Sequence, residues 1–275
     1  MRVLALDTST EALSVSLCVD GVCHTRDEAG GPRASQRLLP LCAELLQHAG
    51  LRFADLDLIG MGAGPGAFTG LRTAAAVAQG LAYAHALPVA RIGTLQAQAE
   101  TAFALLQADG SVRPDPVAAE PGTVVLVAND ARMGELYWTL LRASPEGWHS
   151  LHPPAVHAPE QAVLAWAEVL ADLPEHLDTG SLPRLLACGN AWTEHDDGLS
   201  AVFASLSPDN PRLSALRRAV LRAVACTPSA AAVARLALQH HAAGRSVPAA
   251  QAQPIYVRDK VAQTTAERAL ARAPA

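Results

Sequence analysis

The sequence predicts an α/β protein built from two similar units, and three observations support this prediction. The chain has 275 residues, which is enough for two domains of ordinary size. Half of the residues are hydrophobic but only 4% are aromatic, a composition that favours helices packed on sheets over an all-β fold. A pattern of strand, turn, strand and helix occurs near the N-terminus and is repeated after residue 123.

The first unit is predicted to follow the order β-β-β-α-β-α-β-α. Residues 2–7 are nearly all apolar, as in a strand buried on both faces. Alternating apolar residues over 13–19 and the turn Asp20-Gly21 predict a hairpin whose second strand runs from 22 to about 27. The remaining elements are strands at 57–61 and 89–92 and helices at 35–49, 73–86 and 94–108.

The second unit begins after a segment rich in proline and glycine at 109–122, which we expect to be a linker. Its predicted elements are strands at 123–128, 135–142, 148–151 and 185–189, with a helix opened by Pro159 before the last strand. Residues 212–222 fit either a helix or an insertion. A helix capped at Thr227-Pro228 and an extended segment at 248–259 complete the chain.

The two helices at 35–49 and 73–86 have different apolar patterns. The first has an apolar stripe, to which we assign Leu38, Leu39, Cys42, Leu45, Leu46 and Ala49. Leu41 falls off this stripe, which indicates that a second face of the helix is covered. The second helix is alanine-rich and apolar nearly all round, so it is buried on several faces or meets a partner chain closely.

A glycine loop, Gly64 to Arg72, joins a predicted strand to the alanine-rich helix. Gly64 and Gly66 supply the backbone freedom of a tight turn, and Thr69 is placed to cap the helix. A helix N-terminus in such a loop can bind an anion, but plain connection is the commoner role. The loop also lacks the Lys and Ser/Thr of a nucleotide P-loop.

Composition and charge restrict the function further. The formal net charge of −5 argues against a chain that binds nucleic acid by itself. No signal-peptide core and no apolar run of membrane-spanning length is present, so the cytoplasm is the expected compartment. The five cysteines and ten histidines show no metal-ligand spacing. Cys18 and Cys23 would face each other across the hairpin, and in a reducing cytoplasm we expect free thiols.

Asp7 and Asp130 are the carboxylates of greatest interest, because each follows a predicted buried strand at the start of a repeated unit. Ligands of open sheets gather at the carboxyl ends of strands, so these two side chains could face one cleft. Alternatively, each one caps its own turn. Both readings stay open at the level of sequence.

Six motifs in order resemble the TsaB family, also called YeaZ, of bacterial proteins required for making threonylcarbamoyladenosine in tRNA. They are Asp7 to Glu11, Ser35 to Pro40, Gly64 to Arg72, Ala78 to Ala82, Asp130 to Trp138 and Pro254 to Arg258. The resemblance implies an actin-like (sugar-kinase-like) ATPase fold of two RNase H-like lobes, with mixed sheets flanked by helices. The implied divisions are a first lobe of 1–108 plus the returning helix 227–244, a second lobe of 123–226, a linker of 109–122 and an extended tail of 245–275.

The resemblance also implies a non-catalytic subunit that binds the transferase TsaD, with the ATPase TsaE joining them. In the family, the helices at 35–49 and 69–86 bind TsaD. The same two helices form the contact between copies when the chain is alone and makes a homodimer. tRNA would be contacted only through the complex, and no membrane is involved. The implied interface residues are Leu38, Leu41, Leu45, Phe68, Thr69, Arg72, Thr73, Ala76, Val77 and Gly80.

The family's nucleotide site is degenerate, and the matching positions here are Asp7, Thr8, Ser9, Gly64, Gly66, Asp130 and Arg132. The resemblance implies no catalytic residue, no metal ligand and no cofactor of the chain's own, and it leaves open a nucleotide at the interface shared with TsaD. Residues 95–100 lack the metal-binding HxxxH of TsaD. Ala34 and Ala191 also depart from the family, which often has His and Gly there.

Two other classes of function stay open. An active enzyme of the same fold, a phosphotransferase, ATPase or peptidase, would use Asp7 to order a metal-bound phosphate. Asp130 or Arg132 would then contact the nucleotide. Direct binding of tRNA is the third class, which the net charge disfavours.

Overall fold

The computed structural model describes residues 1–108, 123–144, 147–172, 185–205 and 211–258. The predicted linker at 109–122, part of the turn at 145–147, and the tail after 258 therefore lie outside the described residues.

The first lobe contains the elements β1 (Arg2–Asp7), β2 (Ala12–Val19), β3 (Val22–Ala29), α1 (Ala34–His48), β4 (Leu58–Gly64), α2 (Phe68–His85), β5 (Val89–Gly93) and α3 (Thr94–Ala108). The second lobe contains β6 (Val124–Asp130), β7 (Leu136–Ser144), β8 (Gly147–His157), α4 (Pro159–Ala171), β9 (Leu185–Cys188), α5 (Ala191–Glu194), α6 (Asp196–Ser205) and α7 (Pro211–Val220). The helix α8 (Ala230–Ala242) follows and packs on the first sheet.

The two sheets share one plan, with strand orders β3-β2-β1-β4-β5 and β8-β7-β6-β9. In each sheet three antiparallel strands are followed by a helix, α1 or α4, and then by a strand parallel to the first. The predicted repeat and the predicted α/β fold class are therefore confirmed.

The all-apolar β1 is covered by helices on both faces. Leu4 and Leu6 pack in the cluster that contains α1 and α2, whereas Val3 and Ala5 pack against α8. Adjacent residues of a strand point to opposite faces, so each layer of helices receives alternate side chains. Burying a leucine in this way stabilises the fold by roughly 1.5–3 kcal/mol.

Helix α3 connects the two lobes. Its Leu95 and Ala99 pack with Val125 and Val127 of β6, on the face of the second sheet opposite α4. It also packs against α8, which covers the first sheet. A continuous apolar layer thus joins the two lobes.

The predicted stripe of α1 is wrong in part. The buried residues are Ala34, Leu38, Leu41, Cys42, Leu45 and Leu46, all in the first-lobe core. Leu41 is on this face because it lies seven residues after Ala34 and three after Leu38. Leu39 is 44% exposed instead. Leu38, Leu41 and Leu45 are therefore core residues and do not present a surface to a partner.

The hairpin at Asp20-Gly21 is confirmed, with φ of 47° and 88° at its two turn residues. Cys18 and Cys23 are directly paired across β2 and β3, and the structure joins them by a disulfide. The expectation of two free thiols is therefore wrong in this structure, because the tight turn places the side chains opposite each other.

Candidate functional site

The glycine loop between β4 and α2 receives the turn that follows β1. Ala67 N donates a hydrogen bond to Ser9 O (2.7 Å), and Thr8 Oγ1 donates to Gly70 O (2.6 Å). A β-carbon on Gly66 would lie 2.4 Å from Ser9 O, and one on Gly70 would lie 1.8 Å from Thr8 O. The glycines are therefore needed for close backbone packing, and an amide that a phosphate would use is already bonded within the protein.

The predicted capping role of Thr69 is wrong. Helix α2 begins at Phe68 with Ala67 as the N-cap, and no side chain accepts a hydrogen bond there. The turn after β1 instead binds the amide of the N-cap residue, because Ala67 N donates to Ser9 O. Thr69 lies inside the first turn, where its carbonyl accepts a hydrogen bond from Thr73 Oγ1 (3.0 Å).

Asp7 is buried beneath this joint with only 1% of its surface exposed. Its Oδ1 accepts hydrogen bonds from Ser9 N (2.9 Å) and Ser9 Oγ (2.6 Å). Its Oδ2 has no partner within the described part of the chain, and a β-carbon on Gly62 would lie 1.9 Å from this oxygen. Burial raises the pKa of Asp7 above its usual value, although the bonds from Ser9 oppose the shift.

A cleft of about 380 Å³ lies between the lobes. Its walls are formed by residues 9–12, 65–68, 129–133 and 255–258, together with side chains of α2, α3, β7 and the segment before α8. Ser9 and Gly66 reach the cleft, but Asp7 and Thr8 do not line it. Of the two alternatives for Asp7 and Asp130, the shared cleft is therefore wrong, because Asp7 is enclosed by the glycine loop. Each carboxylate instead accepts a hydrogen bond from the amide two residues further on, as a side chain that caps its own turn does.

Asp130 and Arg132 do line the cleft, where each is neutralised by partners. Asp130 Oδ1 accepts a hydrogen bond from Arg132 N (2.9 Å) and lies 3.0 Å from His195 Nε2, while its Oδ2 lies 3.2 Å from Arg132 Nη1. Arg132 Nη2 reaches across the cleft to Glu11 Oε1 (3.1 Å). Arg132 also adopts a φ of 62°, which is uncommon for a residue with a side chain. The Arg132 side chain therefore bridges the two lobes.

A network of amides forms the floor of the cleft. Gln98 of α3 is 1% exposed, and its Nε2 donates to Asn129 Oδ1 (3.0 Å) and to Cys226 O (2.6 Å). Asn129 Nδ2 donates back to Gln98 Oε1 (2.5 Å). Asn190 Oδ1 accepts from Asp130 N (2.9 Å). Sequence reasoning missed these residues and His195, because single polar residues on separate elements carry no spacing signal.

The C-terminal strap, residues 252–258, crosses from the first lobe to the second. Ile255 N donates to Ala63 O (2.7 Å), and Tyr256 Oη accepts from Arg72 Nε (3.1 Å). At its end, Arg258 forms an ion pair with Glu135 of the second lobe. A β-carbon on Gly64, where φ is 109°, would lie 2.7 Å from Ile255 O, so this glycine accommodates the strap.

The α1–α2 face is the outward surface of the two helices, which pack side by side. Of the residues expected at a partner interface, two are half-buried, namely Thr73 and Val77. Five are exposed, namely Phe68, Thr69, Arg72, Ala76 and Gly80. Leu39 adds an exposed apolar side chain from α1. A β-carbon on Gly80 would meet no atom within 4 Å, so the surface is open there.

The described residues hold neither a cluster of metal ligands nor a membrane-spanning helix. They contain no group of three or more His, Cys, Asp or Glu side chains that could hold a metal ion. No helix among them is both long and apolar enough to cross a membrane. Glu100 lies in the segment 95–100, which lacks the HxxxH motif. Its carboxylate accepts hydrogen bonds from Arg235 and Trp148.

Two sheets of the same plan, flanked by helices and separated by a cleft, define a two-lobed α/β protein of the actin-like ATPase class. A family model described as "TsaD: tRNA N6-adenosine threonylcarbamoyltransferase" matches residues 31–266. The tRNA threonylcarbamoyladenosine biosynthesis protein TsaB of Escherichia coli K12 is 32% identical over 95% of this chain and 96% of its own length. The Haemophilus influenzae TsaB is 37% identical over 59% of this chain and 66% of its own length.

Solved structures give the same result. The structure described as "YeaZ from Pseudomonas aeruginosa" has a TM-score of 0.66 and 31% identity, and it covers 93% of this chain and 99% of its own. A second Pseudomonas aeruginosa structure, described as an uncharacterized protein with similarity to peptidase YEAZ, has a TM-score of 0.68 and 30% identity, and it covers 94% of this chain and 99% of its own. The chain belongs to the TsaB (YeaZ) family.

Proposed function

We propose that this chain is a non-catalytic subunit for the formation of threonylcarbamoyladenosine in tRNA, and that it binds the transferase TsaD through the α1–α2 face. The names of its relatives place them in this biosynthesis. The observation that carries the proposed binding mode is the open α2 surface, where the small residues Ala76 and Gly80 are exposed, and the neighbouring helix α1 exposes Leu39. Small residues allow the helices of a partner to approach closely.

The state of the cleft supports a non-catalytic role. The amide at the N-terminus of α2 is bonded to Ser9, and Asp7 is sealed beneath it. Asp130 and Arg132 neutralise each other and are paired with His195 and Glu11. The Asp130–Arg132 group is thus held by contacts within the protein, as expected where it positions the lobes and does not act on a substrate.

The same proposal covers the other partners. TsaE would join the pair formed with TsaD, and a nucleotide would bind at the interface shared with TsaD. In the absence of TsaD, the α1–α2 face would join two copies of the chain. tRNA would be bound by the complex, since a chain with a net charge of −5 has little electrostatic attraction for nucleic acid.

Reconstitution tests this function. Formation of threonylcarbamoyladenosine should require the chain in a mixture of TsaD, TsaE, tRNA and the enzyme that supplies the adenylate donor. Ala76→Glu should abolish product formation, because it buries an unpaired charge at the interface, whereas the matched variant Ala76→Ser should retain it. Equal activity of the two variants, or full activity without the chain, would contradict the proposal.

One observation favours an alternative function. Asp7 Oδ2 has no hydrogen-bond partner in the described part of the chain, and an unsatisfied buried carboxylate is typical of functional sites. An ATPase or phosphotransferase would use this oxygen after a rearrangement of the glycine loop. ATP hydrolysis by the isolated chain that is lost in Asp7→Asn would establish this alternative.

A further inference from the structure

Two cysteines meet where the second lobe joins α8. Cys188 is the last residue of β9 and is 1% exposed. The chain before α8 runs beside β9, because Val224 N donates to Ala187 O (2.9 Å) and Gly189 N donates to Val224 O (3.1 Å). This pairing packs Cys226 against the apolar cluster between α3 and the second sheet, which contains Cys188.

The two thiols differ in their access to solvent. Cys226 is half-buried and lines the interlobe cleft, whereas Cys188 is packed among the apolar side chains between α3 and the second sheet. A molecule that enters the cleft can therefore reach Cys226 first. Cys42, the other free cysteine of the described residues, is buried in the core of the first lobe.

The surroundings favour ionisation of the accessible thiol. The neighbouring Cys188 thiol, followed by Gln98 and Gly189, lowers the pKa of Cys226, although burial opposes the shift. The contact with Cys226 and complete burial raise the pKa of Cys188. In its protonated form Cys226 Sγ donates to Gln98 O (3.8 Å). The pair thus combines an accessible nucleophilic sulfur with a buried thiol beside it.

We propose that Cys226 and Cys188 form a redox-sensitive pair that reacts with a low-molecular-weight disulfide entering the cleft. The Cys226 thiolate attacks one sulfur of the disulfide, forms a mixed disulfide and releases one thiolate. The Cys188 thiol gives its proton to that released thiolate and attacks the Cys226 sulfur. This step forms the Cys188–Cys226 bond and expels the second thiolate, so two protein thiols are oxidised while the small disulfide is reduced.

The bond would fix the chain segment that leads into α8 to the last strand of the second sheet. Cys188 ends a strand of the second sheet, and Cys226 lies four residues before α8, which packs on the first sheet. Oxidation would therefore restrict movement of the second lobe relative to α8. This proposal does not depend on binding to TsaD.

The test uses the full chain, oxidised glutathione as the probe, and peptide mapping of every cysteine by mass spectrometry. The wild type should form the Cys188–Cys226 link. Cys188→Ser should stop at the glutathione adduct on Cys226, and Cys226→Ser should leave Cys188 unmodified because that thiol is buried. Cys42, whose pKa burial raises to about 12, is the internal control and should react at least about tenfold more slowly than Cys226.

Two results would overturn the proposal. One is a Cys226 that reacts no faster than Cys42, which would mark the pair as inert core thiols. The other is a Cys188→Ser variant in which no glutathione adduct accumulates on Cys226, since this would show that Cys226 is not the sulfur that reacts first. Circular dichroism should verify the fold of each variant, and Cys188→Ala should replace Cys188→Ser if the serine is not tolerated.

Discussion

At the scale of single residues, two glycines of the same helix have opposite requirements. A β-carbon on Gly70 would lie 1.8 Å from Thr8 O, whereas one on Gly80 would meet no atom within 4 Å. Gly70→Ala should lower the free energy of unfolding by about 3 kcal/mol, because backbone must move to relieve the clash. Gly80→Ala should raise it by about 1 kcal/mol, since alanine favours the helix. Urea unfolding measures both changes, and similar effects of the two substitutions would contradict the packing of the glycine loop.

Asp7 gives a pH-dependent prediction. Burial, opposed by the bonds from Ser9, raises its folded-state pKa above 3.8. The folded protein therefore holds the proton more tightly than the unfolded chain does. The contribution of Asp7 to stability is full below the unfolded pKa and is lost as the pH rises through the folded pKa.

Asp7→Asn removes this ionisation. The free energy of unfolding of the variant minus that of the wild type should therefore increase with pH from about pH 4 upwards. Urea unfolding of both proteins across the pH range measures this difference, in which contributions from other groups cancel. A difference that falls with pH would show that the carboxylate is stabilised in the folded state.

At the scale of elements, the C-terminal strap is expected to hold the lobes together. Arg258 pairs with Glu135, lies 5.7 Å from the centre of the Tyr137 ring, and is 13% exposed. Arg258→Ala should lower the free energy of unfolding by about 1 kcal/mol and speed hydrogen exchange at the Ile255 amide, which bonds to Ala63 O.

The matched control for the strap is Arg52→Ala, which removes another arginine from an ion pair. Arg52 pairs with Asp55 but is 81% exposed, so solvent screens the interaction and little change is expected. Equal effects of the two substitutions on stability and on exchange at Ile255 would show that the strap does not tie the lobes.

Most strands and helices could be predicted from sequence because their patterns are local. The all-apolar run of β1, the Asp20-Gly21 turn and Pro159 at the start of α4 each specify an element without long-range information. The helix alternative for 212–222 is confirmed by α7, and the predicted cap at Thr227 is wrong because Ser229 accepts from Ala231 N (3.2 Å).

The errors occur where contacts distant in sequence decide the structure. The buried face of α1 was misassigned because Leu39 and Leu41 are both apolar, and only the position of the sheet distinguishes them. Strand β8 extends past Pro153-Pro154 because it is the edge strand of its sheet, where proline is tolerated. The pairing of Arg132 with Glu11 depends on how the lobes meet, which no local pattern encodes.

At the scale of the whole molecule, the two lobes share one plan but differ in their surfaces. The first lobe presents the α1–α2 face, whereas the corresponding helix of the second lobe, α4, packs against α6 and α7. Within the described residues, the α1–α2 pair thus keeps an exposed face made by two adjacent helices. Binding of TsaD through this face is the central claim of the proposed function.

The most direct test is the affinity of the chain for TsaD, measured by isothermal titration calorimetry. Leu39→Glu should weaken binding by about 100-fold or more, because an unpaired charge is buried at the interface. The matched control is Leu164→Glu, at a leucine of α4 that is 55% exposed on the other lobe, and it should bind as the wild type does. No binding of the wild type, or equal binding of both variants, would contradict the proposed docking surface.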